Sequence, residues 1–160
     1  MRTLLISIYL LVCALSAAAQ HSEPRLFESI PDVPCEDAMM RLDLLFAEIS
    51  NVGLNRFIAV AIYYEGNYKE RTYTRGGKFV RERSVAPVLG EVQQRVRWLQ
   101  NYTNFRNFPK DKIRFISGGA RDTFGIDLWI VPIGSPLPNP TPSKEKVKYR
   151  NGKVTEFYCS

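Results

Sequence analysis

Apolar and polar positions divide the chain into segments of different period. Ala38, Leu42, Leu45, Ile49 and Val52 recur at helical spacing and predict an amphipathic helix from about Glu36 to Val52. Glu36 and Asp37 suit its N-terminus, and Gly53 is a plausible stop. Arg56 to Tyr64 is apolar at successive positions, the pattern of a central strand covered on both faces. Residues 65–83 are polar and basic and read as a long loop containing Gly66, Gly76 and Gly77. Val85, Val88, Leu89, Val92, Val96 and Leu99 form a second helical stripe, predicting a helix from about Val85 to Asn101. Ser84 can cap it, and Pro87 is tolerated in a first turn.

Three further strands follow from shorter signals. Arg25 to Ile30 has the length of an edge strand. Ile113 to Ser117 ends at Gly118-Gly119, which reads as a strand-ending turn. Gly125 to Val131 alternates, with Ile126, Leu128 and Ile130 on one face and Asp127, Trp129 and Val131 on the other. From Pro132 to Pro142 five prolines make an extended linker. Beyond it, Val147 to Tyr158 centres on Asn151-Gly152, a strong hairpin signal that would set Tyr149 opposite Val154. The fold class is therefore α/β (α+β), a two-layer sandwich with helices on one face of a small mixed sheet, plus a C-terminal β-hairpin.

The first segment is not fold. Residues 1–19 have a positive start at Arg2, an apolar run of about 12 residues and the small residues Ala17-Ala18-Ala19, as in a secretory signal peptide cleaved before Gln20. The run is too short to span a bilayer, which needs about 20 residues. The expected product is a secreted or periplasmic protein of 141 residues without a transmembrane segment. Its organisation reads as a lead-in over 20–34, an α/β domain over 35–132, a Pro-rich linker over 133–145 and a tail over 146–160. Two cysteines then remain, Cys35 and Cys159, and an oxidising compartment favours a bridge between them.

Charge is uneven. The formal net charge of +6 hides an acidic start, with two basic and seven acidic groups over 20–50, and a basic middle, with eight basic and three acidic groups over 68–97. Residues 143–160 add five basic and two acidic groups. Between Tyr63 and Arg83, tyrosines and phenylalanine alternate with arginines and lysines, a mixture that suits stacking on rings and contact with anions. The candidate binding residues are Tyr68, Arg71, Tyr73 and Arg75 in this segment, with Arg121 nearby. A cell-envelope polymer, an anionic glycan or a protein suits a secreted chain better than nucleic acid.

Catalytic and metal chemistry find little support. The one histidine, His21, sits in an N-terminal tail that cannot fix a base, and no metal or cofactor set is expected. Ser117-Gly118-Gly119-Ala120-Arg121 lacks the Gly-Lys-Ser/Thr ending of a phosphate loop. Carboxylate chemistry through Asp127, with Asp122 or Asp111, is the alternative reading, a small secreted hydrolase. Asn101-Tyr102-Thr103 fits a glycosylation sequon that matters only in a eukaryotic secretory pathway.

Residues 36–132 resemble the OmpA-like cell-wall-binding domain, in the order helix, strand, helix, strand, strand. The matching pieces are Phe57 to Gly66, Val92 to Leu99, Lys112 to Gly119 and Gly125 to Pro132. The stretch from Gly118 to Pro132 also resembles small secreted bacterial proteins of uncharacterised role. The resemblance implies binding at the cell envelope without catalysis. In that family an Asp after the buried strand and an Arg early in the second helix hold the diaminopimelate of peptidoglycan. Here the strand is followed by Glu65-Gly66-Asn67-Tyr68-Lys69-Glu70, with no Thr-Asp pair. Glu91 stands where the family has Arg, with Arg95 one turn later, and Asp122-Thr123-Phe124 replaces the family's Asn-Arg-Arg. The peptidoglycan site is therefore not carried over.

Overall fold

The computed structural model describes residues 23–154. The signal segment, His21 and Cys159 lie outside the described residues. The elements run β1 (Arg25–Pro31), α1 (Cys35–Val52), β2 (Phe57–Tyr73), β3 (Phe79–Val85), α2 (Glu91–Phe105), a short 3-10 turn (Lys110–Lys112), β4 (Ile113–Thr123) and β5 (Gly125–Pro132). Among the described residues the fold is α+β, with two α-helices and five strands.

The first half of β2 is central because both of its sides are taken. Phe57 to Tyr64 pair antiparallel with β5, and Ala59 to Asn67 pair parallel with β4. β1 adds to the far side of β5 as an antiparallel edge. The second half of β2, Tyr68 to Tyr73, pairs with β3. The parallel β2–β4 pair needs a crossover, and α2 lies within it.

The helices close one face of this sheet. Leu42, Leu45, Phe46 and Ile49 of α1 and Val92, Val96 and Leu99 of α2 pack with Ala59, Ala61, Ile126, Leu128 and Ile130. The α1 stripe thus sits where its periodicity predicts. Helix α2 starts six residues later than expected. Val85 ends β3 instead, Pro87 is buried, and Gly90 has a left-handed φ of 90° just before the first turn. Glu91 then reaches back to accept a hydrogen bond from the Val88 N–H at 2.8 Å. Leu89, assigned to the stripe, is instead exposed.

The opposite face carries a smaller core of Val60, Ile62, Tyr64 and Val131, flanked by Ile58, Ile116 and Trp129. The proline-rich segment runs beside it. Ile133 N–H bonds to Arg56 O, Leu137 lines a depression with Ile58, and Thr141 N–H donates to the Tyr64 hydroxyl at 3.1 Å. It ends with the backbone N–H groups of Ser143 and Lys144 on Ala120 O. Seven steps along β2 from Phe57 to Tyr64 cover about 23 Å, and nine extended proline-rich steps cover about 28 Å. The segment therefore has the reach to strap this face of the sheet.

Two expectations are corrected here. Residues 65–83 are not a loop: most of this segment is paired strand, turning between Tyr73 and Phe79. Gly118-Gly119 does not end a strand, since β4 runs on to Thr123. Gly118 is needed there, because a Cβ would lie 2.4 Å from the Tyr64 ring and 2.7 Å from Ile62. The tail also differs. From Val147 to Val154, the described part of the expected hairpin, no strand forms, and Arg150 alone bridges to Val88.

Candidate functional site

Beyond Tyr68 the β2–β3 pair leaves the body of the protein. Every residue of β3 from Phe79 to Ser84 is exposed, and so are Lys69, Glu70 and Thr72 opposite. A two-stranded ribbon with both faces in solvent needs no apolar alternation, which is why its sequence reads as a loop. Residues 69–84 hold six basic and two acidic groups.

Strand register sorts these charges onto two faces. Arg71 stands opposite Glu82, and Lys69 opposite Ser84. Glu82 accepts from Arg71 at 2.9 Å and from Lys69 at 3.2 Å, and these contacts hold its carboxyl below the usual range. With two cations to one carboxylate, that face carries a single net positive charge, both cations being held by Glu82. The other face sets Arg81 and Arg83 around Glu70, with Arg150 of the tail close enough to act on it. Glu70 is hydrogen-bonded to Arg83, and its carboxyl is lowered by that bond first and then by the charges of Arg83, Arg150 and Arg81. Glu70 pairs with Arg83, so Arg81 on the same face and Arg150 of the tail keep this face positive. Arg75 and Lys78, in the turn, and Arg81 form no ion pair among the described residues.

The five candidate residues do not form one site. Tyr68 is only 2% exposed, so its ring cannot stack on a ligand, which corrects the expectation for that residue. It packs at the ribbon's foot under Arg95, whose guanidinium carbon lies 3.7 Å from the ring centroid. Burial pushes the Tyr68 phenol well above its usual range; the Arg95 charge opposes this, and Glu91, Asp32 and Glu65 add to it. Arg71 is half-buried and bonded to Glu82 and, at 3.4 Å, to the Asp32 carbonyl. Tyr73 ends β2 opposite Phe79, and Arg75 is exposed in the turn.

Arg121 lies elsewhere, in a buried network. Its guanidinium stacks on the Tyr64 ring at 3.3 Å and meets Asp127 through two bonds, 2.7 and 3.3 Å. It also reaches Thr141, donating to the hydroxyl at 2.6 Å and the carbonyl at 3.2 Å. Ser29 donates to Asp127 at 2.7 Å. Burial alone would raise the Asp127 carboxyl, but the Arg121 and Ser29 bonds, the Arg121 charge and the Tyr64 hydroxyl hold it below the usual range. This carboxylate is ionised and enclosed, so it is unsuited to donate a proton or attack a substrate. Asp122 is exposed and paired with Lys144 at 2.6 Å.

A second buried pair was not legible from motifs. Asp32, 5% exposed, accepts from Arg95 at 2.8 Å and from the Lys69 backbone N–H. Asp32 lies in the segment read as a lead-in, and no local spacing links it to Arg95. Cys35, also buried, opens α1 close behind it. The apolar cavity beside Cys35, Arg95 and Phe124 is about 20 Å³, room for about one water.

Among the described residues no cluster of three or more His, Cys, Asp or Glu side chains could hold a metal ion, and no helix is long and apolar enough to cross a membrane. No family model, curated protein or solved structure matches the chain.

Proposed function

We propose that this chain is a secreted, non-enzymatic module that binds an anionic partner at the cell envelope through the β2–β3 ribbon. The observation that carries this reading is the ribbon's unneutralised face. Glu70 pairs with Arg83, Arg81 follows on the same face without an ion pair among the described residues, and Arg75 and Lys78 stand in the adjoining turn. Exposed Phe79 and Val80 add apolar contact area beside the charge. An anionic envelope polymer or glycan fits this mixture, because a ribbon can lie along an extended chain.

The OmpA-like reading of 36–132 belongs to the same proposal. Two helices on one face of a mixed sheet, with α2 in the crossover between parallel β2 and β4, support it. The family's ligand pair is replaced here. Arg95 is occupied by Asp32 beneath Tyr68, and Glu65 accepts from Gln93 at 3.1 Å and from Tyr149. A free amino-acid end would find neither partner open, so the binding surface moves to the ribbon.

The test is retention of purified protein on insoluble cell-wall material and on immobilised anionic and neutral glycans at graded salt. The wild type is expected to bind the anionic supports at low salt and release as salt rises. The triple variant Arg75→Glu, Lys78→Glu, Arg81→Glu should bind about tenfold or more weakly with a shallower salt dependence. Retention that ignores salt, or a triple variant that binds like the wild type, sinks the proposal.

A further inference from the structure

At the foot of the ribbon lies a groove of about 470 Å³ lined by Asn67, Ala86, Arg121, Lys144, Lys146 and Lys148. The volume lies within the range of small-ligand sites, roughly 300–1,000 Å³. Four of the seven lining residues, Val147 being the seventh, are cations, and they come from two sources. Arg121 comes from β4, while Lys144, Lys146 and Lys148 are alternate positions of a tail segment without helix or strand.

Two of the four are already engaged. Arg121 is bound to Asp127 and Thr141, and Lys144 to Asp122. Lys146 and Lys148 are exposed and form no ion pair among the described residues. The tail that carries them is pinned at both ends. Ser143 and Lys144 N–H groups meet Ala120 O, and Arg150 donates to Pro87 O and Ala86 O. The Tyr149 hydroxyl holds Glu65 between these ends. The lysines are therefore presented on an anchored segment.

We infer that this groove binds a phosphate-bearing segment of an anionic polymer, held chiefly by Lys146 and Lys148. The choice of phosphate over carboxylate follows from the cations left free. The planar fork of an arginine suits carboxylate and phosphate alike, but the fork of Arg121 is occupied, so the cations left free are ammonium groups. Ammonium groups act as point charges and accept the tetrahedral spread of phosphate oxygens without a planar demand. The two free lysines, at alternate positions, span up to about 7 Å when extended, so they can meet more than one phosphate of a chain. The inference rests on the polymer-binding reading above and names the chemical class of its ligand.

The experiment is a calorimetric and NMR titration of the purified protein with inorganic tripolyphosphate, with trigalacturonate as the carboxylate arm. Tripolyphosphate should shift amides of residues 67, 86 and 144–148, and bind more tightly than trigalacturonate. The double variant Lys146→Glu, Lys148→Glu should bind tripolyphosphate about tenfold or more weakly. The ribbon triple variant should bind it within about twofold of wild type. Both lysines are exposed, so the double variant should keep the wild-type circular dichroism spectrum. Equal tripolyphosphate affinity in wild type and double variant, or tighter binding of trigalacturonate, overturns the inference. Tripolyphosphate bound in the groove of a protein that no polymer retains would remove the polymer reading and leave the groove standing. Polymer retention with a groove indifferent to tripolyphosphate would do the reverse.

Discussion

Replacing Arg121 by Met separates the electrostatic role of this residue from its bulk. Met supplies an unbranched apolar side chain in place of the guanidinium over Tyr64, so Asp127 loses both guanidinium bonds and retains Ser29 and the Tyr64 hydroxyl. Removing one partner of a buried pair costs about 3–5 kcal/mol. The Arg121 side chain is 25% exposed and Asp127 only 7%, so solvent reduces the figure to about 2–4 kcal/mol at neutral pH. The pH dependence gives the sharper check. In the wild type the folded carboxyl is held below its unfolded value of about 3.9, so this stability is present above that pH and lost as pH falls through the folded value. In the variant, burial is left weakly opposed and the carboxyl rises. The folded variant then takes up a proton before the unfolded chain does, and its deficit shrinks as the solution is acidified. Urea denaturation at about pH 7.5 and about pH 4.5 measures both effects. A further Asp127→Asn change should recover part of the loss, because it removes the stranded charge. A deficit under about 0.5 kcal/mol at neutral pH, or one that does not change with pH, would refute the assignment of this pair.

Three other outcomes follow. Gly66→Ala should fail to accumulate as folded protein, because a Cβ there would lie 2.3 Å from the Thr123 carbonyl carbon and 2.6 Å from Phe124 N; soluble yield and circular dichroism check this. The Tyr149 phenol, pushed up to about 12 first by its bond to Glu65 and then by burial, should ionise later than an ordinary tyrosine. Its stabilising contribution is complete below the unfolded value of about 10 and is lost as pH rises through the folded value, and ultraviolet titration of wild type against Tyr149→Phe measures it. If Cys35 and Cys159 are bridged, intact mass should rise by about two hydrogens on reduction, and Cys35→Ser should lose roughly 4–5 kcal/mol in the chain-entropy model; an unchanged mass refutes the bridge.

What the sequence made legible depends on whether one side of an element meets the core. Helix α1 could be read because Leu42, Leu45 and Ile49 all face the sheet, and β5 because its two faces meet two different cores. The ribbon could not, since periodicity records burial and Phe79 to Ser84 are buried on neither side. The late start of α2 was visible only in Pro87 and Gly90, two breakers inside a stripe that otherwise continues apolar. The proline-rich segment reads as a linker from composition, and only its partners, Tyr64 and Ala120, make it a strap. Of the candidate site, Arg75 could be found from charge alone, whereas Tyr68 has the composition of a ligand contact and the burial of a core residue.

The ion-paired arginines explain how an uneven charge distribution leaves one group of cations free along the ribbon and tail. Asp32 from the acidic start is placed against Arg95, and Asp43 against Arg106, so the start of the chain neutralises α2 and not the ribbon. Asp127 does the same for Arg121. The Arg95 and Arg121 pairs withdraw positive charge nearest the core from solvent, while the Arg106 pair is half exposed. Among the accessible cations, Arg75, Lys78 and Arg81 at one end and Lys146 and Lys148 at the other form one group, with Arg83 and Arg150 near Glu70 between them. A net charge spread over the whole surface would attract anions without direction. Grouped along a ribbon face and a tail anchored beside it, these cations form a track with an axis. An extended polyanion can follow such a track, and a compact anion can fill only its groove. The proposed function therefore predicts that affinity rises with ligand length until the ribbon is covered and then levels off, which a ladder of defined-length polyphosphates can measure.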